Sequence, residues 1–152
     1  MNDIFNAALK YLSAKNHSKS ELKSILEKDF SSQPDVDGLI QQTIVRLEEL
    51  HLINDGFIAT SQAERYQHKG NRFIVQKLQQ KGLDKEMIDD AIQSLPSEFE
   101  RALPEARKKV QTLRDLDRKA QENKLLRFLS NRGFSATTCY QIIDELKSDA
   151  VK

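Results

Sequence analysis

Two stretches of this sequence gather cations at helical spacing, and the chemistry that such stretches support is the neutralisation of phosphates. Residues 65–82 hold Arg65, Lys69, Arg72, Lys77 and Lys81 with no acid, a local charge of +5. Residues 101–132 hold ten Lys or Arg, among them Arg101, Arg107, Lys108, Arg114, Arg118, Lys124, Arg127 and Arg132. Against these stand Glu105, Asp115, Asp117 and Glu122, which leaves a local charge of +6. The whole chain carries only +1, so everything outside the two stretches is at −10. Basic stretches on an acidic background can present one face to a polyanion and another to a protein. Each phosphate neutralised releases counterions, which makes such binding salt-dependent. Lys69, Arg72, Gln76 and Gln80 fall on one polar helical face, and Arg107, Arg114 and Arg118 recur at spacings that predict a second. A solvated charged face is the readier explanation of one such helix, and two acid-poor stretches in separate segments shift the balance modestly toward phosphate binding. Neither stretch resembles a base-reading motif, so sequence-specific recognition is not indicated.

Other chemistries find little support. His17, His51 and His68 include no pair at i, i+4 spacing and no Cys or acidic partner that would complete a tetrahedral metal set, so no metal or other cofactor is expected. Cys139 sits on an apolar stripe and reads as a core residue, and a single cysteine permits no internal disulfide. There is no phosphate-cradling glycine loop and no nucleophile elbow, so no catalytic residue is assigned and the chain does not read as an enzyme.

The elements that carry these residues are helices, and they recur. Residues 74–95 superpose on residues 125–146 at an offset of 51: Ile74 on Leu125, Leu78 on Leu129, Gly82 on Gly133, Ile88 on Cys139, Ile92 on Ile143 and Leu95 on Leu146. A period near 50 residues indicates a repeat architecture whose units bury part of their surface against neighbours. Periodicity and turn signals predict an all-α fold, an elongated tandem array of three three-helix repeats over residues 1–54, 55–96 and 97–152. In the first unit Ser18 and Glu21 have capping-box spacing ahead of Leu22, Ile25, Leu26 and Phe30. Asp29-Phe30 pairs with Gly82-Leu83 at an offset of 53 and makes this unit the weakest copy. In the second, Lys69-Gly70 is expected to close a helix with Gly70 in the left-handed region, and Asp84 caps the third helix. The third unit is predicted to contain a long charged helix from Phe99 toward Leu116 that projects beyond its neighbours. Gly82 and Gly133 read as left-handed C-caps, and the adjacent Lys81 and Arg132 gain a little from the helix dipole even without a ligand.

With 31% charged residues, a mean hydropathy of −0.62 and no long apolar run, the chain is expected to be soluble. Its start lacks a secretory signal pattern, and a bacterial cytoplasm is the expected compartment. No heptad pattern suggests a coiled coil, and a monomer is expected.

The run from Leu47 through His51-Leu52-Ile53-Asn54-Asp55-Gly56 to Ala59, Lys69-Gly70 leading to Lys81-Gly82, and Lys124 through Arg132-Gly133-Phe134 resemble the RecX family of bacterial regulatory proteins. So does the beginning, Ala8-Leu9 through His17-Ser18-Lys19-Ser20-Glu21-Leu22. The resemblance covers nearly the whole chain and rests on order and spacing. The family usually has Gly where this chain has His51, an acidic pair at Asn54-Asp55, and an Arg-Phe-Ala run at Phe57-Ile58-Ala59. A proline is also common near Gly70-Asn71-Arg72-Phe73. What the resemblance implies is a modulator of the RecA recombinase that lies in the groove of RecA filaments on single-stranded DNA and inhibits strand exchange, ATP hydrolysis and coprotease activity. Double-stranded DNA is a further partner to consider, and no membrane is implied. Two other readings stay open at this level: a RecA-independent, non-specific DNA-binding helical module, and a structural helical adaptor.

Overall fold

Among the described residues the apolar stripes fold as nine α-helices: α1 (Asn2–Ala14), α2 (Lys19–Asp29), α3 (Val36–Glu49), α4 (Asp55–Arg65), α5 (Asn71–Gln80), α6 (Lys85–Gln93), α7 (Glu98–Gln111), α8 (Arg118–Asn131) and α9 (Ala136–Val151). The computed structural model describes residues 2–151, and side chains over 3–149; no strand occurs among them. Side-chain caps start most of these helices. Ser18 and Glu21 form a complete capping box, and Asn54, Asp84, Ser97 and Asp117 each accept a hydrogen bond from the backbone N–H three residues on. Each cap satisfies a donor that the helix itself leaves orphaned.

Three cores result, one per triad. Ile4, Ala8, Leu22, Leu26, Ile40, Ile44 and Leu47 pack in the first, Ile58, Ala63, Ile74, Leu78 and Ile88 in the second, and Ala102, Ala106, Leu125, Leu129, Phe134 and Ile142 in the third. Every substantial helix-to-helix contact falls inside one triad. The accessible surface is 9695 Å², whereas a compact monomer of this mass exposes about 7,900 Å². The array is therefore extended.

The triads join by one repeated device: the turn that ends the middle helix of one triad docks on the N-terminus of the middle helix of the triad before it. At the second junction, the Gly70 N–H donates to the Arg132 carbonyl (2.9 Å) and the Arg72 N–H to the Gly133 carbonyl (3.3 Å). Orphan donors of α5 thus meet orphan carbonyls of α8. At the first junction the Ser18 hydroxyl donates to the Lys81 carbonyl while accepting from the Glu21 N–H, and Lys81 Nζ lies 3.4 Å from Glu21 Oε1. The middle helices run head to tail, α8 onto α5 and α5 onto α2, with their dipoles in the same sense.

Glycine makes this approach possible. Gly82 and Gly133 have φ of 77° and 92°, as C-caps require, and each also abuts the preceding triad. Gly70 was expected to end a helix in the left-handed region, and it does not. Its φ is −76°, it is the N-cap of α5, and α4 has already ended at Arg65. A Cβ at Gly70 would lie 2.1 Å from the Gly133 carbonyl carbon, so the absence of a side chain serves contact and not backbone angle.

Caps and buried residues align Ser18, Leu22 and Leu26 with Gly70, Ile74 and Leu78 at an offset of 52, so the stripe of α2 reaches its turn one residue sooner than that of α5. The first triad has no glycine turn after α2, and Phe30 closes that helix at a φ of −115°. The charged helix of the third triad does not project as expected: α7 stops at Gln111, Leu113 turns into the structure and is buried, and α8 begins at Arg118.

Glu98 and Arg101 staple the second junction. Glu98 accepts from the Asn71 N–H (2.8 Å), the Ser135 N–H (2.9 Å) and the Thr138 hydroxyl (2.7 Å). Arg101 donates to the carbonyls of Pro96 (2.9 Å), Gln67 (3.3 Å) and Lys69 (2.6 Å) and to Asn71 Oδ1. From α7, Arg101 reaches the loop between α4 and α5, and Glu98 ties the first residue of α5 to the start of α9.

Candidate functional site

The twelve cations singled out by sequence do not form one surface. They divide between a ladder on the middle helices and a scattered set around α7. On α5, Phe73, Lys77 and Lys81 follow one another at i, i+4 spacing, with Lys69 one step before them. On α8 the corresponding positions are Lys124, Phe128 and Arg132. The two ladders are continuous in space, because the backbone of Phe73 is what a Cβ on Gly133 would strike, at 2.7 Å.

Half-buried rings lie between the cations. Lys69 Nζ and Lys77 Nζ stand 5.1 and 5.6 Å from the Phe73 ring centre, and Tyr66 meets Phe73 edge-on at 5.5 Å with Arg65 over its own face at 5.7 Å. On α8, Arg132 Cζ lies 4.6 Å and Lys109 Nζ 5.3 Å from the Phe128 ring centre. These are cation–π distances, favourable because the ring face carries negative electrostatic potential. Helical spacing could have disclosed this interleaving, which a count of charges alone passed over.

Several of the cations are engaged within the chain. Arg72 Nη2 donates to the Ser130 carbonyl at 2.7 Å across the junction. Lys81 pairs with Glu21, and Arg132 lies 3.4 Å and Lys108 3.7 Å from Glu105. Arg107 pairs with Asp149 at 3.1 Å, and Arg114 donates to Gln111. Arg118, Lys124 and Arg127 are exposed and enter no ion pair among the described residues. The expected face of Arg107, Arg114 and Arg118 does not exist as such, since the three lie on α7, in the turn after it and at the start of α8.

Arg101, one of the cations of the basic stretch, is 6% exposed and belongs to the staple. The sequence held a clue: a cation in the first turn of a helix opposes the dipole and requires other partners. Burial pulls the pKa of its guanidinium down, and the charge of Glu98 opposes that shift. Burial likewise pushes the Glu98 carboxyl up, but hydrogen bonds from Thr138, Ser135 and Asn71 together outweigh it, and its pKa lies below the ordinary carboxylate value. Burial raises the Cys139 thiol, which sits in the third core. No group of three or more His, Cys, Asp or Glu among the described residues could hold a metal, and none of their helices is long and apolar enough to cross a membrane.

Comparison with known proteins agrees with this architecture. Residues 60–92 match the family profile of the second RecX three-helix domain and residues 97–143 that of the third. A regulatory protein RecX of Prosthecochloris aestuarii is 30% identical over 144 residues, covering 93% of this chain and 91% of that protein. One from Streptococcus pneumoniae is 32% identical over 149 residues, covering 94% of this chain and 55% of the longer relative. The crystal structure of RecX from Lactobacillus salivarius superposes with a TM-score of 0.84 at 28% identity, covering 96% of each chain. An all-helical array of three-helix units, matched in both sequence and structure over nearly its whole length, places this chain in the RecX family of regulatory proteins.

Proposed function

We propose that the chain is a negative regulator of the RecA recombinase that lies in the groove of RecA filaments on single-stranded DNA and suppresses strand exchange, ATP hydrolysis and coprotease activity. The observation that carries this reading is the extended array with cations concentrated on its second and third triads. An elongated body can follow a filament groove, and cations on one part of it can meet phosphates while the acidic remainder meets protein. In this reading the partners are the RecA filament and single-stranded DNA, the chain works as a cytoplasmic monomer without a cofactor, and residues 1–54, 55–96 and 97–152 are its three units. Arg65, Lys69, Arg72, Lys77, Lys81, Arg107, Lys108, Arg114, Arg118, Lys124, Arg127 and Arg132 supply the positive surface. Binding here acts on a filament and turns over no substrate.

The test is RecA ATP hydrolysis on single-stranded DNA, with this protein added to preformed filaments. Suppression at or below one molecule per RecA subunit is expected. Inhibition only when the protein is added to DNA before RecA would instead favour the RecA-independent DNA-binding module. Reversing charge at Arg107, Lys108, Arg114 and Arg118 is expected to weaken both DNA and filament binding and to flatten their salt dependence. Unchanged binding across a salt series would remove the assignment of the basic side to phosphate.

A further inference from the structure

The ladder along α5 and α8 alternates cations with aromatic rings, and the first triad carries neither at the matching positions. Aligned by caps and core, the counterparts of Phe73, Lys77 and Lys81 in α2 are Glu21, Ile25 and Asp29. The ladder therefore stops where Lys81 meets Glu21. At about 1.5 Å per residue, Phe73 to Lys81 and Lys124 to Arg132 each extend about 12 Å. Laid end to end across the Gly70–Gly133 contact, they make a track long enough for several nucleotides.

Cations alone would suit any phosphate chain or an acidic peptide. Half-buried rings flanked by cations suit a ligand that offers flat unpaired faces together with a regular negative charge. A single-stranded nucleic acid has both, whereas a duplex keeps its base faces stacked internally. We propose that Phe73 and Phe128 are base-stacking platforms of a single-stranded nucleic-acid track that runs along α5 and α8, with Lys69, Lys77, Lys124 and Arg132 on the adjoining phosphates. The first triad lies off this track. The proposal rests on the nucleic-acid side of the reading above and adds the rings to it, dividing the positive surface into a strand-binding ladder and the residues around α7.

The test uses the full chain and a dye-labelled 20-mer of deoxythymidine, followed by fluorescence anisotropy over a salt series. Phe73→Leu with Phe128→Leu keeps the apolar volume and removes the ring faces. Affinity should fall about thirtyfold with the salt slope unchanged, at the lower end of what two stacked bases contribute. Phe73→Tyr with Phe128→Tyr should bind as the parent does, and this pair guards against a loss caused by misfolding alone. Lys77→Gln with Lys124→Gln should reduce the salt slope by roughly 0.7 per cation. The proposal is overturned if the Leu pair binds like the parent, if a duplex of equal length binds as tightly as the single strand, or if a polyglutamate peptide displaces the strand from parent and Leu pair alike. RecA ATPase separates the two readings. Suppression by the parent alongside parent-like strand binding by the Leu pair would sink the stacking platforms and leave the regulator standing. Weakened strand binding by the Leu pair with no parental effect on RecA would do the reverse.

Discussion

Substituting Gly70 by alanine tests the head-to-tail junction directly. The backbone angle of Gly70 is ordinary for any residue, so the added methyl acts only through space. That space is filled by backbone: the new Cβ would lie 2.1 Å from the Gly133 carbonyl carbon and 2.2 Å from both its oxygen and the Phe134 nitrogen. Backbone cannot swing aside as a side chain can, so the two triads must separate. Overpacking of this kind, together with the two junction hydrogen bonds, amounts to roughly 3–5 kcal/mol. That is a large part of the 5–15 kcal/mol typical of a domain. In urea unfolding followed by far-ultraviolet circular dichroism, a slope of about 2 kcal/mol per molar places the midpoint roughly 2 M lower. The transition should also broaden as the third triad uncouples from the second. Gly56→Ala is the internal control: it sits inside α4, its Cβ would meet only Asn54 Oδ1 at an ordinary 3.5 Å, and it should stabilise by up to about 1 kcal/mol. If Gly70→Ala unfolded with the midpoint and steepness of the parent, a junction closed by backbone contact between Gly70 and Gly133 would be refuted.

Arg101→Met should destabilise by about 2–4 kcal/mol in thermal melts, because the carbonyls of Pro96, Gln67 and Lys69 lose their donor, and Arg101→Lys should rescue little since one ammonium cannot span a fork of acceptors. The depressed pKa of Glu98 contributes stability that is present above the carboxyl's ordinary value and is lost as pH falls through its lower folded value. Acid titration of stability should therefore flatten in Glu98→Gln, and an unchanged profile would refute that assignment. Cys139, buried with a raised thiol pKa, should react with a thiol reagent only as fast as the third triad opens, so native-state labelling should accelerate in step with added urea.

The scaffold was readable in the sequence because its determinants are local. Apolar periodicity located the helices, Ser18 and Asp84 marked helix starts, and Gly82 and Gly133 adopt the left-handed angles that their turns suggested. What escaped depended on partners distant in sequence. Gly70 looked like another C-cap, and only the approach of residue 133 explains it. Arg101 looked like one more surface cation, because its acceptors lie thirty or more residues earlier or in the turn before α7. The face expected from Arg107, Arg114 and Arg118 failed because spacing was read across the break at Gln111, which the apolar Leu113 and Leu116 concealed. The rings of Phe73 and Phe128 were visible as residues but not as a track, since only the docking of α8 on α5 aligns them.

The docking direction also bears on how the protein comes off the ribosome. Synthesis runs from the first triad to the third, yet the N-terminal ends of α2 and α5 find their junction partners in the triad made after them. The first triad can form its core and the capping box of α2 early, but the Ser18 hydroxyl meets the Lys81 carbonyl only once α5 has been translated and has folded. The second waits in turn for Arg132 and Gly133. Completion thus travels backwards along a chain made forwards, and a nascent chain stalled inside the third triad would hold α5 with an unsealed end.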